Sequence, residues 1–201
     1  MHVYRRSVGV LAAILVTATT LAVPTFAKTG STPVPAAPVS TALANIRIDN
    51  FGQINPNYYR GAQPDASDYR DLAALGIKTV IDLTKDGRDD EPGFVAAAGM
   101  KFHRIPLTTT QRPSDAAVAE FLALVNDPVN QPVYVHCQGG RHRTGVMTAV
   151  YEMTHDNWNA DRAYGQMKQF KFEGFPGHPE LKSFVYDYYT QLTNAPAAVK
   201  R

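Results

Sequence analysis

The sequence predicts an α/β domain with a central, mainly parallel sheet flanked by helices. Three observations carry this. Short β-branched runs alternate with helix-period segments along residues 77–155, the order in which parallel strands and their crossover helices follow one another. The runs at Ile77–Leu83 and Pro132–Val135 have the apolar character of strands buried on both faces. A glycine-bearing turn then leads straight from the second run into a helix beginning near Thr144.

Composition fits one such domain with extensions. The chain has 201 residues, 44% of them hydrophobic and 19% charged, ordinary values for a globular protein. Its net charge of +2 comes from Arg5 and Arg6, and the chain beyond them is balanced. A nucleic-acid partner would call for a basic surplus, so none is expected, and a monomer is.

The chain opens on a basic segment, Met1–Arg6, followed by small and apolar residues from Ser7 to Val23 and by Thr25-Phe26-Ala27, small at both positions that a signal peptidase reads. Residues 1–27 therefore read as a bacterial secretory signal, with export to the periplasm or beyond. The apolar run is short for a span and is diluted by Thr17, Thr19 and Thr20; an uncleaved anchor is the alternative, and the mature form is expected to have no membrane span. Residues 28–45, with prolines at 33, 35 and 38, read as an extended spacer. The domain is placed at 46–192 and a disordered tail at 193–201.

Within the domain, Ile46–Phe51 alternates at period two and reads as a strand, paired with Tyr58–Arg60 across the turn Asn55-Pro56-Asn57. Asp65–Asp68 starts a helix to Leu75 that Gly76 closes. Ile77–Leu83 is a strand, Phe94–Ala98 a helix stopped at Gly99, and Lys101–Pro106 the next strand. Ser114 or Asp115 caps an amphipathic helix through Val118, Phe121, Leu122 and Val125. After the turn, Val146–Met153 packs closely, Asn159 caps a further helix, and Pro179 starts the last one, with Leu181, Phe184, Val185, Tyr188 and Tyr189 facing inward.

The turn itself, His136-Cys137-Gln138-Gly139-Gly140-Arg141-His142-Arg143, is an anion site in outline. A loop that feeds a helix N-terminus offers free N–H groups and the positive end of the dipole. Those donors and the nearby cations favour the thiolate of Cys137 at its mouth, and a thiolate attacks phosphorus. The planar fork of Arg143 binds two phosphoryl oxygens at once. Cys137 is the only cysteine in the chain, so it makes no internal disulfide.

His136-Cys137, five residues, then Arg143-Thr144-Gly145 resembles the H-C-x5-R-[ST] signature of cysteine-dependent protein tyrosine and dual-specificity phosphatases. With Tyr59-Arg60-Gly61-Ala62-Gln63-Pro64, the likeness extends over roughly residues 46–190 and is greatest to small bacterial, plant and fungal members. It implies a protein-tyrosine-phosphatase-like fold, Cys137 as nucleophile of a cysteinyl-phosphate intermediate, Arg143 as phosphate ligand and Thr144 steadying the leaving thiolate. Gln138, Gly139, Gly140, Arg141 and His142 complete the phosphate loop, His136 orients it, and Arg60 shapes its floor. The expected partner is a phosphorylated protein or small polyanion, with no cofactor and no metal. His136, Cys137 and His142 lack zinc-ligand spacing, and no Walker-type run is present.

The resemblance fails at one place. Relatives carry an Asp on the loop after the Ile-Pro strand as general acid, which contributes ~100- to 10,000-fold. Thr108, Thr109 and Thr110 stand there in this chain. The role falls to Asp115, or to Asp90 with its neighbours Asp89 and Glu91. Arg141 and His142 add positive charge, which favours a polyanion; the resemblance to fungal and plant members with a basic residue at the Arg141 position implies inositol pyrophosphates as rival substrates. A phosphate-binding module without turnover is the reading from another class.

Overall fold

The computed structural model describes Met1, residues 43–174 and residues 176–195; apart from Met1, everything below lies in the compact unit spanning residues 36–201. The signal at 1–27 and the spacer up to residue 42 fall outside the described residues. Residues 43–45, expected to be extended, are helical, and Leu43 packs against an apolar cluster. Among the described residues no helix is long and apolar enough to cross a membrane.

Five strands form one sheet: β1 (Gly52–Asn55), β2 (Tyr58–Gly61), β3 (Thr79–Thr84), β4 (Lys101–Leu107) and β5 (Val133–His136), in the order β1-β2-β5-β3-β4. Only β1 is antiparallel, joined to β2 by the tight turn at Pro56-Asn57; the other neighbours are parallel. The central strand β5 thus has parallel neighbours on both sides, and every residue of β2, β3 and β5 is buried.

Burial on both sides comes from six helices: α1 (Asp68–Ala74), α2 (Glu91–Ala97), α3 (Asp115–Asn126), α4 (His142–His155), α5 (Ala160–Gln169) and α6 (Pro179–Asn194). Side chains alternate between the faces. Tyr58, Ile81, Val133 and Val135 point to a core with α3, α4, α5 and α6, whereas Tyr59, Val80 and Tyr134 point to a second core with α1 and α2. Helix α4 is buried from Arg143 to Met153, which explains its small and apolar residues Gly145, Val146, Ala149 and Val150.

Local signals stop and start these helices as expected. Gly76 takes φ +85° after α1, a left-handed position that suits glycine. The Ser114 hydroxyl accepts from the Ala117 amide and caps α3, and the Asn159 side chain does the same for the Arg162 amide at α5.

Two expectations are corrected. The first strand is Gly52–Asn55 and not Ile46–Phe51. Ile48 is buried and Ile46 and Phe51 half-buried against the α1/α2 core, so the alternation reports packing against the sheet and not membership of it. The last helix runs to Asn194, two residues into the segment assigned to the tail.

Candidate active site

The turn after β5 sits where the ends of three parallel strands converge. In register, Gly61 of β2 and Asp82 of β3 flank His136 of β5, so the loop Cys137–Arg141 opens at the carboxyl edge of the sheet. Gly140 has φ +62°, and a Cβ there would collide with the backbone of Gly61 and Ala62. Close backbone approach thus requires glycine at Gly140; Gly139 has only the flexible Arg141 side chain nearby.

Side chains far away in sequence hold this backbone. Arg60, fully buried, donates from Nη2 to the Gly140 carbonyl at 2.7 Å and from Nη1 to Gln166, with Phe170 against its guanidinium face. Asn50 Nδ2 donates to the carbonyls of Gly140 and Phe170 at 2.8 and 2.9 Å. The Gln63 amide donates to the Gln138 carbonyl, while the Gln138 side chain is exposed. With its carbonyls turned to this scaffold, the loop leaves its amides for the concave side.

Cys137 lies at the base of the loop, deeper than its mouth, and is 2% exposed. Burial pushes its thiol up, but the Thr144 hydroxyl, the Thr144 and Gly140 amides and the Arg143 guanidinium outweigh this and hold it below the ordinary cysteine value. The Thr144 hydroxyl is buried without a hydrogen-bond partner, and its nearness to Cys137 is among the influences that lower the thiol. Arg143 is buried at the start of α4; its Nη1 donates to the Leu107 carbonyl at 3.5 Å and its Nε has no partner. A buried guanidinium with a partner-free Nε–H beside such a sulfur is an arrangement able to hold an oxyanion.

His136 faces away from the loop, into the fold. Its Nε2 is 2.8 Å from Glu91 Oε1 and its Nδ1 4.0 Å from Asp82 Oδ1, with all three side chains fully buried. Tyr69 donates to Glu91, and Arg104 Nε meets Asp82 at 2.8 Å. Burial would push the Glu91 carboxyl up, but His136 and then Tyr69 hold it below the usual range. Ligand atoms of Asp82, Glu91 and His136 lie within 4.8 Å of one another, and Arg104 already supplies the countercharge that a cation would bring. These residues fix the strand end on which the loop is built.

Comparison with known proteins agrees with this geometry. The family model described as "DSP-PTPase phosphatase fused to NAD+ Kinase" matches residues 43–180. The chain belongs to this DSP-PTPase family. It is 31% identical over 141 residues to the dual specificity protein phosphatase TpbA of Pseudomonas aeruginosa, a match covering 68% of this chain and 62% of TpbA. It is 24% identical over 130 residues to the inositol diphosphatase SIW14 of Saccharomyces cerevisiae, covering 62% of this chain and 46% of SIW14. The chain therefore spans less than two thirds of both relatives. Among solved structures, the SIW14 catalytic domain superposes with TM-score 0.63 at 23% identity (71% of this chain, 87% of that one), and TpbA with 0.60 at 24% (73% and 92%), which shows the shared fold.

The acids of this DSP-PTPase are placed less simply. Asp115 lies in the first turn of α3, where its charge acts on Tyr188. Asp90 is exposed and forms a 2.8 Å ion pair with Arg88 at the start of α2, and Glu91 is spent on His136. The carboxyl that meets Arg143 is Asp86, with Oδ1 3.8 Å from Nη1, a residue the sequence reading passed over. Of the two rim cations, His142 is corrected. Burial, then His178 with its ring centroid 3.9 Å away, pushes His142 down to about 4, so it is neutral near pH 7. Arg141 turns towards Asp49, which also pairs with Lys171.

Proposed function

We propose that this DSP-PTPase hydrolyses phosphate monoesters through a cysteinyl-phosphate intermediate, with phosphotyrosine as its best-fitting substrate class. The observation that supports this most is the depression of the Cys137 thiol despite burial, beside the partner-free Nε of Arg143. In the first step the sulfur attacks phosphorus, an S–P bond forms and the ester P–O bond breaks. Loop amides and Arg143 hold the equatorial oxygens as charge redistributes. In the second, water attacks phosphorus and the sulfur leaves as a thiolate that Thr144 stabilises.

The rim bears on the substrate. With His142 neutral and one carboxylate, Asp49, set against both Arg141 and Lys171, the rim keeps a single net positive charge. That suits a single phosphate on an aryl group better than a crowded polyanion. A TpbA variant has been crystallised with pTyr, which agrees with this reading; the inositol diphosphatase relatives keep inositol pyrophosphates as the second.

A panel of phosphotyrosyl peptide, phosphoseryl peptide, phosphoinositide and inositol pyrophosphate, compared by kcat/KM, tests the choice. Phosphotyrosyl peptide is expected to lead, and Cys137→Ser to abolish turnover while retaining orthovanadate or phosphate binding. Binding without hydrolysis by the wild type would make the domain a phosphate-binding module. We also propose export, on the basic, apolar and small-residue segments of residues 1–27; fractionation of cells expressing the full chain, with activity recovered only from the cytoplasm, would count against it.

A further inference from the structure

We propose that Asp86 is the general acid that protonates the leaving oxygen, an assignment that rests on the cysteinyl-phosphate reading above. The loop expected to carry the acid, Thr108–Thr110, contains no carboxyl. Of the carboxylates near the sheet edge, Asp82 and Glu91 are buried around His136, Asp90 is paired with Arg88, and Asp49 with Lys171. Asp115 starts α3 beside Tyr188. Asp86 is the carboxylate that the structure sets beside the phosphate-binding guanidinium, with Oδ1 3.8 Å from Nη1 of Arg143.

The loop after β3 fixes it there from both sides. The Lys85 amide and Arg143 Nη1 donate to one acceptor, the carbonyl of Leu107, at 3.1 and 3.5 Å. On the other flank Gly87 lies so close to Asp82 and Arg104 that a Cβ would not fit, and Arg104 Nη2 donates to the Arg88 carbonyl at 2.6 Å. Between these anchors the Asp86 side chain is 92% exposed while Arg143 is 9% exposed. Asp86 therefore stands on the solvent side of the guanidinium. Attack by Cys137 from the loop base puts the leaving oxygen on that same outer side, because nucleophile and leaving group lie in line across phosphorus.

The exchange balances. The incoming phosphate replaces Asp86 as partner of Arg143; the released carboxylate, exposed to solvent, takes up a proton from water beside the bound phosphate and gives it to the ester oxygen as the P–O bond breaks and the S–P bond forms. An alcohol leaves and Asp86 is a carboxylate. In the second step that carboxylate takes a proton from the attacking water as the S–P bond breaks, which restores the acid and releases phosphate.

The test is the dependence of kcat/KM on the leaving group, measured on the full chain with a series of aryl phosphates from an activated fluorinated umbelliferyl ester to phenyl phosphate, for wild type and Asp86→Asn, alongside orthovanadate binding. Wild type should vary little across the series. Asp86→Asn should lose ~100-fold or more on phenyl phosphate and only a few-fold on the activated ester, with vanadate binding retained. A purely structural role would lower all esters alike. Equal loss across the series, no loss, or a gain from freeing Arg143 would overturn the assignment. So would a steeper dependence in Asp115→Asn in place of Asp86→Asn. Wild type that turns over no ester, or Cys137→Ser that keeps turnover, would overturn the cysteinyl-phosphate reading and this assignment with it, a result distinct from a flat Asp86→Asn series in an active enzyme.

Discussion

Nη2 of Arg60 stands 2.7 Å from the carbonyl oxygen of Gly140, so a guanidinium from the second strand holds the phosphate loop from behind. Burial pushes this Arg down to about 10, still well above neutral pH, and the bond is charge-assisted. Arg60→Met should remove the charge-assisted bond, leave the Gly140 carbonyl with the Asn50 amide as its remaining donor, and cost on the order of 1–3 kcal/mol. A urea titration at pH 7 checks the stability, and kcat/KM on an aryl phosphate, expected to drop more than KM changes, checks the loop.

Gly140 tolerates no side chain on two independent grounds, its positive φ and its contact with Gly61 and Ala62. Gly140→Ala should weaken orthovanadate binding by ~10-fold or more while Gly139→Ala, whose Cβ would meet only the Arg141 side chain at ordinary contact distance, changes it little. Isothermal titration of both variants separates the positions.

Arg143→Lys keeps the charge but gives up the planar fork. A loss of ~100-fold in kcat/KM is expected, with circular dichroism unchanged. A loss below about tenfold would mean that a point charge suffices.

Two buried glutamates should act on stability in opposite directions. Glu91 is held below its ordinary value, so its contribution is full above about pH 4.5 and is lost as pH falls through the lower folded value. Glu152 has no partner for either oxygen, and burial pushes it up to about 8. Between about pH 4.5 and 8 the unfolded state ionises where the folded state does not, so stability falls as pH rises across that window. Glu152→Gln should raise stability at pH 8 by on the order of 1–3 kcal/mol and change it little at pH 4, whereas Glu91→Gln should lower it most near neutrality. Thermal melts across this range decide both.

Most of the fold was legible because its signals are local. Glycines at 76 and 99, Ser114, Asn159 and Pro179 each sit at the helix end that their backbone or side-chain chemistry predicts. The x5 spacing likewise marked Cys137 and Arg143, since a loop between strand and helix brings them together whatever surrounds it. What the sequence hid lies across long separations. Asn50 reaches the loop from 90 residues away and nothing near it announces this, whereas Arg60, 80 residues away, was marked only by its place in the family-like segment Tyr59–Pro64. Glu91 reads as one more charge in a solvated loop until the fold buries it against His136. Asp86 was obscured by a denser run of acids just after it, and only the shared Leu107 acceptor brings it to Arg143.

Cys137 has no second sulfhydryl anywhere in this chain with which to close a disulfide. A reactive thiolate oxidised by peroxide to a sulfenic acid would find no internal thiol to resolve it. Recovery would fall to an outside reductant such as glutathione or a thioredoxin-like dithiol, or to capture by a neighbouring backbone nitrogen. The same isolation protects the site from mispairing in an oxidising compartment, while leaving further oxidation to sulfinic acid without an internal brake.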